Sequence, residues 1–451
     1  MRRLLLLAAG LMVALLPTAP TFAAPAAPPT APSGDPAFAR VWARTDQLVR
    51  GGTAQRSWLW GAAPFARVSE PFADAPGGSR VVEYYDKARM EIANPTADRT
   101  SPWFVTNGLL VKELISGLVA VGPTQTELHP PATQPVVGDA VATNPAPSYA
   151  ALGLVASLVG PAHRAPNRVG SHVADTLDAS GLVGSVAALA AQPGTRLGTY
   201  IADSGHNVPD IFWTYELAQG TTLNGRTLQN AALMNPLYTL GYPISEPYWV
   251  RAQVGGQVRD VLIQAFERRV LAYTPSNAPA WQVEMGNVGR HYYDWRYGPQ
   301  KPGLLAAPVV ATRIVSPALR IDTRIVPTYV DGGAWQVADY AAGWLYGTGQ
   351  PGRPGNSVFA GHNNWHGEVF RYLEFGKIGD EFTIYTSDGA AHRYRVSELY
   401  KVPEKGLSRT AQLAYAKYTD PTPDERVTLI TCWPYHTYTH RLILIGKPVA
   451  P

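Results

Sequence analysis

From Arg313 onward, apolar and polar positions alternate in short runs rich in β-branched residues: Arg313-Ile314-Val315, Leu319 to Val326, Asn356 to Ala360, Glu381 to Tyr385, Arg393 to Val396, Arg426 to Ile430 and Arg441 to Ile445. A period of two turns one face of each run toward a core and the other toward solvent, which is the pattern of strands. Turn signals such as Ser387-Asp388-Gly389 separate the runs. The set predicts a compact sheet or barrel of about one domain's length.

The N-terminal half has a different rhythm, and residues 58–112 can be laid over 240–290 as an imperfect repeat. Gly61 and Pro64 match Gly241 and Pro243, and Ser69-Glu70-Pro71-Phe72 matches Ser245-Glu246-Pro247-Tyr248. Tyr85-Asp86-Lys87 then matches Phe266-Glu267-Arg268, and Trp103-x-Val105-x-x-Gly108 matches Trp281-x-Val283-x-x-Gly286. Equal spacing inside blocks with variable loops between them points to duplication. The shared aromatics either fill two small cores or offer stacking faces to a sugar polymer. Between the copies, Leu152 to Leu158 and Gly181 to Ala191 are apolar and read as helical.

Proline and small residues mark the seams. The chain reads as a signal peptide (1–23), a Pro/Ala-rich linker (24–37), a first module copy (38–121), a Pro-rich linker (122–148), a second copy with a helical insert (149–298), a linker (299–311) and a C-terminal catalytic domain (312–451). The signal reading rests on Arg2 and Arg3, the apolar run Leu4 to Leu16, and the small-residue region ending in Ala23 and Ala24. That run is shorter than the roughly 20 residues of a spanning helix, so the expectation is an extracytoplasmic protein, secreted or tethered to the membrane or cell surface. The fold class expected is mostly β, with some helix in the duplicated region.

Composition supports this and narrows the partners. With 42 Gly, 40 Pro and a net charge of +4, the chain suits many short strands and carries no basic run of a nucleic-acid patch. It contains a single Cys, Cys432, so an exported chain has a free thiol and no internal disulfide. Such a thiol is either a small buried apolar group or a nucleophile.

Three side chains decide between these. His362 follows Ser357 to Gly361, Cys432 ends Thr428-Leu429-Ile430-Thr431, and Arg441 opens Leu442 to Ile445, each at the mouth of an apolar strand. A thiol activated by nearby positive charge, an imidazole that shuttles a proton and a guanidinium fork that binds a developing oxyanion suffice for acyl transfer. Rival metal sites fail: in His362-Asn363-Asn364-Trp365-His366 an Asn stands where a zinc peptidase needs a Glu base, and Pro434 breaks any helix through Cys432, His436 and His440. No cofactor or metal is called for. His366, His436 and His440 read as rim residues.

The residues from about 313 to 448 resemble the sortases. Thr428-Leu429-Ile430-Thr431-Cys432 looks like their Thr-Leu-x-Thr-Cys signature, Ala360-Gly361-His362 like their Ala-Gly-His strand end, and Arg441 lies where they carry their Arg. Ala338-Asp339 and Gly343-Trp344-Leu345-Tyr346 fall at the helical segment before the His, and Phe370, Leu373 and Ile378-Gly379-Asp380 in the stretch after it. The resemblance implies a sortase β-barrel with His362, Cys432 and Arg441 as catalytic residues and Thr431, Gly361 and His440 at the substrate or oxyanion site. It implies a cysteine transpeptidase that cleaves a motif similar to Leu-Pro-x-Thr-Gly between Thr and Gly and passes the acyl group to an amine. Its partners would be surface proteins bearing that motif and an acceptor amine from a wall precursor or pilin lysine, with wall polymer as a candidate ligand of the duplicated module. The alternatives are an L,D-transpeptidase-like wall enzyme, whose Gly-Cys-Arg context Thr431 and Trp433 fit poorly, and a noncatalytic surface-binding protein.

Overall fold

A computed structural model describes residues 35–158, 160, 162–298, 309–331, 334–407 and 416–449. The signal segment, most of the first linker and residues 299–308 of the last one lie outside the described residues. No helix among the described residues is long and apolar enough to cross a membrane.

The duplication is visible in backbone bonds. Copy one is an antiparallel meander of Ala66–Pro71, Ser79–Tyr84, Arg89–Ile92 and Thr106–Asn107 followed by a helix at Leu110–Ser116. Copy two repeats it with Tyr248–Val254, Gln257–Ala265, Val270–Tyr273, Val283–Met285 and a helix at Val288–Tyr297. Tyr85 N–H donates to Ala88 O as Phe266 N–H does to Arg269 O, and Gly108 N–H donates to Arg89 O as Gly286 N–H does to Val270 O.

The copies are not separate bodies. The helix of each meets the turn of the other: Lys112 N–H donates to Glu267 O at 3.2 Å, and Arg290 N–H to Asp86 O at 3.1 Å. Gly289 permits the second approach, since a Cβ there would lie 2.0 Å from Tyr85 O. One apolar cluster joins Tyr84, Leu110 and Leu114 to Val250, Ile263 and Tyr292. The Pro-rich stretch enters the same cluster through Ala132, Val136, Val137 and Ala146, so it packs between the copies where the sequence suggested a divider. Composition misleads here because a few apolar side chains among prolines suffice when each is buried. The segments read as helical do not form helices of that extent: helix covers Tyr149–Leu152 and stops at the first residue of the expected 152–158 span, and the second span forms a strand at Val183–Ser185 and a 3-10 turn at Ala187–Ala191.

Tyr85 and Phe266 are each 1% exposed, whereas Trp103 and Trp281 are 50% and 42% exposed. The acidic residue of the second repeat block is buried in both copies. Glu70 lies among Arg80, Arg89 and Arg296, while Glu246 faces Arg168, His206 and Asn207. Burial alone would raise the Glu70 carboxyl, but Arg89, Arg296 and Arg80 hold it down at about 2.

The C-terminal domain is a closed eight-stranded barrel: β1 (Ala311–Ser316), β2 (Ile321–Thr328), β3 (Ala342–Leu345), β4 (Gly355–Ala360), β5 (Glu381–Thr386), β6 (Ala391–Pro403), β7 (Glu425–Trp433) and β8 (His440–Pro448). Their order around the barrel is β1-β2-β3-β4-β7-β8-β6-β5, with β5 closing onto β1. Gly343, Trp344 and Leu345, expected with Tyr346 in a helical segment from the resemblance, lie in β3 and run parallel to β2. Gly343 permits that pairing, because a Cβ would sit 2.6 Å from the Thr328 side chain. Ile314, Phe382, Tyr394, Val427, Leu429, Leu442 and Leu444 fill the interior. By alternation Ile430, Cys432, Arg441 and Ile443 face outward.

Barrel and N-terminal half touch directly. Thr227 pairs with Val330 in parallel, Arg226 Nη2 donates to Gly347 O at 2.8 Å, and Tyr329 is 1% exposed inside an N-terminal apolar cluster.

Candidate active site

Strand register assembles the site. β4 and β7 run parallel with Ala360 opposite Ile430, so His362 and Cys432 each stand two residues beyond the same rung. β7 and β8 are antiparallel with Cys432 directly opposite Arg441. Three residues far apart in sequence thus meet on the outer face of one barrel end.

The approach of His362 is fixed by small contacts. A Cβ on Gly361 would lie 2.7 Å from the Phe370 ring, so glycine is required for the chain to turn over that ring. Gly361 N–H donates to Ile430 O at 3.1 Å, and Phe370 N–H to His362 O at 2.9 Å. Asn363, 1% exposed, donates from Nδ2 to Cys432 O at 2.8 Å and ties the loop to the Cys432 backbone.

Arg441 is held from two sides. Its Nη1 lies 2.9 Å from Cys432 Sγ, while Nη2 and Nε reach Glu404 Oε1 and Oε2 at 2.8 and 2.6 Å. The carboxylate takes the fork bidentately and leaves one N–H aimed at sulfur. Partial burial pushes the Cys432 thiol up, Arg441 opposes that shift, and Glu404 adds to it. Partial burial also lowers the His362 imidazole; Asp339 opposes this, while His366 and Arg441 reinforce it. Both shifts favour the neutral thiol–imidazole pair at rest.

The other sequence-selected residues fall elsewhere. Thr431 is 2% exposed, and its hydroxyl donates to Gly361 O at 2.7 Å, so its proton is spent binding β4 to β7. His440 lies opposite Trp433, its ring 5.5 Å from the indole, on the face away from Cys432. His366 stands near His362, with ring centroids 5.9 Å apart. His436 is exposed. Sequence reasoning missed Glu404, which lies just past β6 in a segment with no motif, and it gave Asp339 and Asn363 no role at the site.

Around Cys432 the outer face is apolar. Val358, Ala360 and Leu345 form one small cluster and Val402, Ile443 and Ile445 another, and Ile430 packs against both.

Comparison with known proteins agrees with the motifs. Residues 314–449 match the sortase domain family. Sortase SrtE1 of Streptomyces coelicolor is 29% identical over 171 residues, covering 35% of this chain and 45% of that protein, so the chain spans less than half of that curated relative. Among solved structures, sortase C-1 from Actinomyces oris is 29% identical with a TM-score of 0.27, covering 33% of this chain and 77% of that one. Sortase A of Listeria monocytogenes is 21% identical with a TM-score of 0.25, covering 32% and 89%. The similarity to sortases is thus confined to the C-terminal third of the chain.

Proposed function

We propose that this protein is an extracytoplasmic transpeptidase that cleaves a sorting motif similar to Leu-Pro-x-Thr-Gly between Thr and Gly and passes the new acyl group to an amine. The observation that carries the reading is the convergence of Arg441 on Cys432 Sγ at 2.9 Å, with His362 one strand away on the same rung. The extended peptide would lie on the apolar bed of Ile430, Ile443, Val358 and Ala360, its scissile carbonyl over Sγ.

The chemistry follows from the resting state. A proton moves from Cys432 to His362, and Arg441 stabilises the thiolate that forms. The thiolate adds to the Thr carbonyl, and Arg441, released from sulfur, can donate to the oxyanion. As the C–N bond breaks, the His362 imidazolium gives its proton to the departing Gly amine and a thioester remains. An incoming amine loses its proton to His362, attacks the thioester and expels the thiolate. Acceptors of this type include a wall-precursor amine and a pilin lysine. Trp103 and Trp281, exposed at equivalent repeat positions, support wall-polymer binding by the N-terminal half.

Incubation with Leu-Pro-x-Thr-Gly-type peptides and hydroxylamine tests this. The expected products are a hydroxamate ending at Thr and, without amine, a mass adduct on Cys432; Cys432→Ala abolishes both. Robust cleavage by Cys432→Ala would refute the reading.

A further inference from the structure

We propose that Asp339 and His366 form a positioning pair for His362, holding its ring by Nε2 and stabilising it when it carries a proton. The inference rests on the transpeptidase reading and assigns the residues that make its acid–base group work.

Asp339 Oδ1 lies 2.8 Å from His366 Nδ1 and 3.7 Å from His362 Nε2, so one carboxylate oxygen serves both rings. The shorter contact seats the carboxylate against the His366 ring, and the longer one is a charge contact that strengthens when His362 is protonated. A backbone bond from Tyr340 N–H to His366 O at 2.8 Å locks the two loops together. Gly367 at φ +95° makes room for this, because a Cβ there would lie 2.7 Å from the Tyr340 ring. The His366 ring also stacks on Trp365, with centroids 4.9 Å apart and planes within 17°. His366 is thereby held beside Asp339, and the carboxylate is kept close to His362. The His362 ring also makes a hydrogen bond with the Val337 backbone, on the same approach as Asp339.

The charged and titratable groups facing His362 are Asp339 and His366 from the two loops and Arg441 from β8, with Cys432 and Glu404 in contact with Arg441. Asp339 is the group among them that directly favours the imidazolium. Proton transfer from Sγ to His362 leaves thiolate and imidazolium in place of thiol and imidazole. Asp339 raises the share of that reactive form.

The test uses the full chain, whose only Cys is Cys432, so iodoacetamide uptake reports that thiol alone. The pH dependence of alkylation and of kcat/KM is measured for wild type, Asp339→Asn, His366→Ala and His366→Asn. Asp339→Asn should move the acidic limb to lower pH and lower the plateau by the same factor, roughly three- to tenfold for a half-exposed carboxylate. His366→Ala should follow in the same direction by less, and His366→Asn, which keeps a donor near Nδ1, should restore the wild-type profile. A lower plateau with an unmoved limb, or superimposable profiles, overturns the proposal. If alkylation shifts as stated while no peptide is turned over by wild type, the positioning pair stands and the transpeptidase reading falls.

Discussion

Glu404→Gln separates two effects that the geometry places in opposition. The carboxylate aims Arg441 through contacts of 2.8 and 2.6 Å, and its charge also helps to keep the Cys432 thiol protonated. Gln keeps the size, but it offers one acceptor and sets an NH2 against a guanidinium N–H. Exposed ion pairs contribute about 0.2–1 kcal/mol, and breaking a buried one costs about 3–5 kcal/mol. Both side chains here are 35% exposed, so misaiming Arg441 should cost about 1–2 kcal/mol, or about five- to thirtyfold in kcat/KM. Losing the negative charge should at the same time lower the thiol pKa and speed alkylation of Cys432 near neutral pH. Stopped-flow iodoacetamide kinetics and a peptide-transfer assay on the same preparation read the two effects. If both rates fall together, or both rise, Glu404 does not aim Arg441 and the reasoning fails.

Arg441→Lys should cost at least tenfold in turnover despite keeping the charge, because an ammonium cannot contact Sγ and both Glu404 oxygens in one plane; near wild-type kcat/KM would exclude that role. Residues 312–451 expressed alone should form the barrel but melt at lower temperature than in the full chain and turn over more slowly, since Tyr329 loses its burial and Val330 its partner strand; calorimetry and a peptide assay decide. Glu70→Gln should destabilise the N-terminal half by about 3–5 kcal/mol at neutral pH by leaving three arginines short of an acceptor, read by urea denaturation. The Glu70 carboxyl is depressed when folded, so its contribution is present above about pH 4.5 and fades as pH falls toward 2; the gap between wild type and Glu70→Gln should narrow over that window.

What the sequence revealed and what it hid divide along contact range. Cys432, His362 and Arg441 were legible because each stands at one end of a run of alternating apolar residues, and such runs encode strand and face locally. Their meeting depends on register, Ala360 opposite Ile430 and Cys432 opposite Arg441, which the loops between strands settle. Glu404 was invisible because it lies in an irregular segment and acts through Arg441. The expected roles of Thr431 and His440 came from the resemblance of the motifs that hold them. Neighbours along a strand point to opposite faces, and Thr431 turns its hydroxyl to Gly361. The repeat was readable within each copy, but the crossed bonds from Lys112 to Glu267 and Arg290 to Asp86 link residues more than 150 positions apart and leave no local pattern.

The contact between the halves bears on catalysis through one short path. The strand at Val330–Asp331 pairs with Thr227 of the N-terminal half and with Ala334–Trp335, and the chain then runs through Val337 to Asp339, the residues that face His362. Gln336 N–H donates to Tyr329 O at 2.8 Å, and Tyr329 itself is clamped among N-terminal side chains. The segment that faces the His362 imidazole is therefore anchored within a few residues of the interdomain sheet. An N-terminal half that served only to locate the enzyme would need no backbone pairing at that point. Because it pairs there, its removal should relax the loop bearing Asp339 before it disturbs the barrel interior, whose apolar cluster is built from the barrel's own residues. The turnover defect of the isolated domain should accordingly lie mainly in kcat, with the acidic limb of its pH profile moved in the direction expected for Asp339→Asn; a defect confined to KM would place the coupling elsewhere.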